Sequence, residues 1–315
     1  MIVGVDIGGT LIKVSLVDQG RVHHRTQIEA ESHKGLAPAL PRIAAAFREL
    51  LDEGSIALDA CKAVVFSFPS LVDHRTGKVL FGYGKFMDAM ELDLPTWAHA
   101  EWNLPLLIEN DARVALLGER YAGAGKGFEN LVMVTLGTGL GVAVCMEGHL
   151  LRGVHGQAAI LGGHLSIDPQ GFHCHCGSRG CPEAEASTSV LVQRAQAHPH
   201  FPESLLAKAE SIDYAAVFRL ARLGDSVSID LRARAIEVWS TMLINLIHAY
   251  DPERIIVGGG IAAGWDDFMP EVIDRVYQWN HTPWGRVEMV PAELGNDAAL
   301  VGCEQVYRHR LTTTV

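Results

Sequence analysis

Between residues 174 and 183 the chain reads CHCGSRGCPE, which brings Cys174, Cys176 and Cys181 within reach of a single metal ion. Gly177 and Gly180 permit the tight turn between them. Thiolates select zinc, and His164, upstream in LGGHLSI, is the natural fourth ligand of a closed Cys3His tetrahedron. Such a site has no open position for water, so its role is structural. His173 and His175 compete for the fourth place. A disulfide is the other use of clustered cysteines, but an odd cluster in a chain without a secretory pattern weighs against it.

A second chemistry lies in glycine turns. In Asp6-Ile7-Gly8-Gly9-Thr10 the glycines let backbone N–H groups approach a phosphate, and the threonine hydroxyl adds a donor. Gly137-Thr138-Gly139-Leu140-Gly141 repeats that chemistry, and Gly258-Gly259-Gly260, directly after RIIV, suits a flat adenine or ribose lying against backbone. None is a Walker A loop or a dinucleotide fingerprint. Asp111 ends the strand pattern PLLIEN and opens the helical pattern DARVALLGERYAG. A carboxylate there either caps the helix or faces a cleft as a general base, and two phosphate-type turns favour the base.

The elements that must position these groups are legible from periodicity. MIVGVDIGGTLIKVSLVDQGRV and NLVMVTLGTGLGVAVCMEGHLL both read as hairpins with glycine tips. Superposed without gaps, Ile2 falls on Leu131, Val3 on Val132, Val5 on Val134 and Gly8 on Gly137, which points to two related domains. KAVVFSFPSLVD reads as a strand, residues 35–53 and LRARAIEVWSTMLINLIHAYD as helices, and AALVGCEQVYRHR as a final helix. Hairpins alternating with helices make the chain α/β. Its 315 residues suit about two domains.

A net charge of −11 without a basic stripe argues against a nucleic-acid partner. No apolar run reaches the roughly 18 residues of a membrane span, and an apolar strand pattern already at Ile2 leaves no room for a signal peptide. The expected location is the cytoplasm, where Cys61, Cys145 and Cys303 read as buried thiols.

Taken in order, DIGGT at 6, ENDA at 109, LGTGLG at 136, GGH at 162, CHCGSRGCPE at 174, IIVGGGIA at 255 and LGNDAALVG in the tail resemble the ROK family of sugar kinases and sugar-responsive repressors. The resemblance spans nearly the whole chain. It implies the two-domain, actin-like (ribonuclease-H-like, duplicated) ATPase fold, with ATP and sugar meeting in an interdomain cleft. The expected division is 1–111 with a C-terminal helix at about 299–315, and 112–298 with the zinc loop.

It further implies Asp111 as base, with Asn110, Glu183 and His164 at the sugar. Asp6, Gly8, Gly9, Thr10, Gly137 and Thr138 would serve the phosphates, and Gly258, Gly259 and Gly260 the adenosine. ATP, catalytic Mg2+, structural zinc on His164, Cys174, Cys176 and Cys181, and a homodimer complete the implication.

Three departures stand out. Leu161 replaces a sugar-binding glutamate, which His155 or Gln157 could offset. Leu11 replaces the lysine after DIGGT, with Lys13 on the same strand face. Ser70 replaces a glycine, and GYGKFMDAMELDL replaces an asparagine-containing sugar loop, leaving Tyr83, Lys85 and Asp88 unassigned. Beside an ATP-dependent hexose kinase stand a sugar sensor with weak or no turnover and, less favoured, a repressor.

Overall fold

The computed structural model describes residues 1–82 and 84–312; Tyr83 and residues 313–315 of the expected final helix lie outside it. β1 (Ile2–Ile7) and β2 (Leu11–Asp18) form an antiparallel hairpin around the first glycine turn, with Ile2 opposite Val17 and Ile7 opposite Ile12. β3 (Arg21–Glu29) pairs with β2 at the sheet edge. After α1 (Leu40–Gly54), β4 (Val64–Phe68) runs parallel to β1.

The stretch read as one strand through Ser70 breaks at Pro69. β5 (Leu71–Asp73) leaves to form a separate hairpin with β6 (Lys78–Phe81). The Ser70 hydroxyl donates to the Phe81 carbonyl across that hairpin. α2 (Leu94–Trp102) then leads to β7 (Leu106–Asn110), parallel to β4, giving the order β3-β2-β1-β4-β7. α3 (Asp111–Ala122) begins at the next residue.

A second sheet repeats this plan. β8 (Leu131–Leu136) and β9 (Leu140–Met146) form the hairpin, and β10 (His149–Leu150) is its edge. α4 (Pro182–Ala186), α5 (Thr188–Gln196), α6 (Tyr214–Arg222) and α7 (Ser226–Tyr250) precede β11 (Arg254–Gly258), which is parallel to β8. α8 (Trp265–Trp279) leads to β12 (Glu288–Pro291), parallel to β11, for the order β10-β9-β8-β11-β12. α9 (Ala298–Thr312) ends the described chain. β8 starts and stops at the positions matched to the ends of β1, so the duplication read in the sequence is a duplication of sheet order as well.

Two compact units result. The first holds Met1–Phe128, Leu150–Ala158 and the chain from Glu293 onward; the second holds Glu129–His149 and Ala159–Ala292. In the first, Val3, Val5 and Ile7 on one face of β1 share a core with Ile43, Phe47 and Leu50 of α1 and Leu94 and Ala98 of α2. Gly4, on the opposite face by the two-residue repeat, leaves only 3.2 Å between an added Cβ and Cys303 of α9.

The expected cut after residue 111 would sever α3 from α9, its principal packing partner. An added Cβ on Gly118 would overlap the Ala298 carbonyl, and one on Gly302 the Val114 carbonyl, so the two backbones meet directly. Overpacking a site bounded by backbone costs about 1–3 kcal/mol or more. Gly302→Val should therefore lower the thermal midpoint by several degrees and shift the urea midpoint in parallel; an unchanged midpoint would refute the direct helix contact.

Candidate active site

β7 ends and α3 begins without an intervening loop, and this junction builds the first part of the site. Asn110 is the helix N-cap: its φ and ψ are extended, and its Oδ1 accepts from Arg113 N–H at 3.3 Å. Its Nδ2 donates to the Ser70 carbonyl at 3.2 Å and to Asp111 Oδ1 at 3.0 Å. Capping therefore falls to Asn110, and Asp111 is left for another use. Asp111 Oδ1 also accepts from Ala112 N–H at 2.8 Å, which fixes the carboxylate. Burial pushes its pKa from 3.8 up to about 6, against the Ala112 hydrogen bond; the Asp6 charge pushes the same way and Lys85 opposes it.

Beneath this pair sits a buried ion network that the sequence did not signal. Glu109, fully buried, meets Arg152 Nε at 2.7 Å and Arg113 Nη1 at 3.3 Å and accepts from Asn110 N–H at 3.0 Å. Burial alone would raise its pKa, but the two guanidiniums outweigh it and hold the carboxyl below its ordinary range. Arg113 also donates to the carbonyls of Gly156, Leu151 and Ala158, which attaches residues 151–158 to the junction. His155 and Gln157, the proposed substitutes for a glutamate at Leu161, are exposed on that segment.

The first glycine turn closes with Gly8 N–H on the Leu11 carbonyl at 3.0 Å. Asp6, at the end of β1, accepts from Ser67 Oγ at 2.9 Å and lies 3.7 Å from Lys13 Nζ, its cross-strand neighbour. Burial raises the Asp6 pKa despite both partners. Thr10 is exposed, and its carbonyl takes Ala30 N–H at 2.8 Å. Of the unassigned loop residues, Asp88 is a backbone anchor that accepts from Leu36 and Ala37 N–H at 2.6 and 2.8 Å. Lys85 lies across the turn itself: a Cβ added to Gly9 would sit 2.7 Å from its Nζ. Tyr83 falls outside the described residues.

The second unit gathers the remaining candidates. Gly137 N–H bonds the Gly139 carbonyl at 3.0 Å, while the Gly137 and Thr138 carbonyls receive Thr188 and Ser189 N–H at 2.9 and 3.3 Å. Gly259, at φ +89°, presses on the Leu136 backbone, so Gly258 to Gly260 lie beside that turn, and Gly260 opens onto free space. Glu183 spans two of the motifs. Its Oε2 accepts from Leu140 N–H at 2.8 Å, and its Oε1 lies 3.7 Å from His164 Nε2 and 3.5 Å from His175 Nε2. His175, a competitor for the fourth ligand place, is exposed and faces this carboxylate.

His164 Nδ1 and the sulfurs of Cys174, Cys176 and Cys181 all lie within 4.8 Å of one another. Zn–S bonds of about 2.3 Å and Zn–N bonds of about 2.0 Å in a tetrahedron give S···S edges near 3.8 Å and S···N edges near 3.5 Å. Cys176 and Cys181 are 3.6 Å apart at sulfur, and Cys174 Sγ is 3.4 Å from His164 Nδ1. The donor set therefore fits zinc, and all six cysteines are free of disulfides. Burial lowers the His164 pKa, which favours the neutral imidazole a metal requires. His173 is exposed, with its backbone bridged to Arg179.

The chain has relatives among known proteins. The chain is 30% identical over 317 residues to the glucokinase of Thermotoga maritima, covering 98% of each chain. It is 31% identical, with a TM-score of 0.77, to the crystal structure of a ROK family glucokinase from Streptomyces griseus in complex with glucose and AMPPNP, covering 98% of this chain and 99% of that one. The xylose repressor of Bacillus subtilis is 28% identical over 242 residues, which are 76% of this chain and 59% of the repressor. The ROK family profile matches residues 2–310, and with these relatives of nearly equal length it shows that the chain belongs to the ROK family.

Proposed function

We propose that the chain transfers the γ-phosphoryl group of ATP to a hydroxyl of a hexose or related sugar, with Asp111 as general base. The observation that carries this reading is Asp111 itself: a carboxylate fixed through one oxygen, with a pKa of about 6, at a strand end beside a phosphate-type turn. A base with that pKa is ionised at neutral pH yet basic enough to accept a proton. The relatives support the acceptor and donor classes, since one carries the name glucokinase and another holds glucose and AMPPNP.

In the proposed reaction Asp111 takes the proton of the acceptor hydroxyl as its oxygen attacks the γ-phosphorus, and the bond to the bridging oxygen breaks to release ADP. Mg2+ enters with the nucleotide. Asn110 has both amide protons committed, so its remaining capacity is an Oδ1 lone pair, and it would accept from a sugar hydroxyl. Glu183 and His164 would contact the sugar as well. Asp6, Gly8, Gly9, Thr10, Gly137 and Thr138 would serve the phosphates, and Gly258, Gly259 and Gly260 the adenosine. Zinc on His164, Cys174, Cys176 and Cys181 would supply rigidity to the loop that carries Glu183.

Asp111→Asn should retain sugar binding and lower kcat by about 10²–10⁴-fold, measured as ADP release across a panel of sugars. Binding without ADP release in the unaltered protein would favour the sensor reading. Because the base must be ionised, kcat/KM should fall as pH drops through about 6.

The same shift affects stability. A raised folded pKa stabilises the protonated form, so this contribution is present below 3.8 and lost as pH rises through about 6. Removing the charge should then raise the thermal midpoint at pH 7 while turnover disappears; a lower midpoint would contradict the buried-carboxylate assignment.

For the metal, Cys181→Ser should reduce bound zinc from about one equivalent toward none and weaken sugar affinity with it. A metal-free protein of full activity would refute the structural role.

A further inference from the structure

Two lysines approach the first glycine turn, and their circumstances differ. Lys13 is committed: it faces Asp6 at 3.7 Å and reaches the Asn296 carbonyl at 3.4 Å. Lys85 has no ion pair among the described residues, although its side chain crosses Gly9 closely enough that a Cβ there would meet Nζ, Cε and Cδ at 2.7, 2.8 and 3.1 Å.

The backbone around Lys85 is held on both sides. Phe86 is buried, packs on Phe68 and donates its N–H to the Ser32 carbonyl at 3.0 Å. The Ser32 hydroxyl in turn donates to the Gly9 carbonyl at 2.9 Å. Asp88 anchors the far side on Leu36 and Ala37 N–H. A free ammonium on a pinned backbone beside a phosphate-type turn is a preorganised anion contact, not a solvated loop side chain. Its charge also reaches Asp111, where it opposes the upward shift.

We infer that Lys85 binds the terminal phosphate of the nucleotide at the Gly8–Thr10 turn and neutralises it during transfer. This rests on the kinase reading above, but its test does not depend on turnover. MgATP and MgADP are titrated calorimetrically, without sugar, into the unaltered protein, Lys85→Met and Lys85→Arg.

Lys85→Met should weaken ATP about 10- to 100-fold and ADP less than about threefold, with sugar affinity unchanged. Lys85→Arg, which keeps the charge, should stay within about threefold of the unaltered protein for ATP. Equal ATP affinity in all three proteins, or a loss as large for ADP as for ATP, would overturn the assignment. So would a loss confined to sugar affinity, which would make Lys85 an acceptor contact. An unaltered protein that binds ATP as described but phosphorylates no sugar would refute the kinase reading and leave Lys85 standing; one that binds no ATP would sink both.

Discussion

The buried carboxylate of Glu109 sets the conditions under which the end of β7 can exist. An ionised group without water is destabilising by several kcal/mol unless neutralised in place, and Arg113 and Arg152 do this from a helix and from a distant excursion of the chain. The remaining Arg113 donors go to three carbonyls of that excursion, so the neutralising cation also fastens residues 151–158 to the first unit. Two positions further along, Asp111 receives no cation within ion-pair distance among the described residues. Carboxylates separated by one residue are thus driven in opposite directions, Glu109 held ionised and Asp111 raised to about 6. Environments that drive neighbouring carboxylates apart in this way fit the base proposed at Asp111.

The strongest sequence signals were those in which residue type and local geometry coincide. The hairpins β1–β2 and β8–β9 alternate around glycine tips, and their first strands match position for position. The Cys/His cluster was legible because three cysteines and a histidine at short spacing leave few other uses. β3 escaped notice because RVHHRTQIE is an edge strand that alternates between exposed and half-buried residues, with no apolar stripe to read. β12 and the β5–β6 hairpin are too short for periodicity to register.

Other features depend on contacts remote in sequence, which no local pattern encodes. The Glu183 bond to Leu140 N–H links the cysteine loop to a glycine turn some forty positions earlier. Lys13 and Lys85 look alike in sequence, and only the pairing of one with Asp6 distinguishes them. Asn110 and Asp111 are adjacent and both suited to capping; the choice between them became visible once Arg113 N–H was seen to bond Asn110.

The glycine-mediated contact of α3 with α9 bears on how the protein is made. α9 leaves the ribosome after β1, β4 and α3, the elements it packs on. While the chain grows, the first unit carries an uncovered apolar face, and its early strands must wait for residues near 300 before they can close. The segment that bears Asp111 therefore completes its packing only once α9 has been made. A product terminated before α9 would present that face to chaperones and proteases instead of an ordered carboxylate.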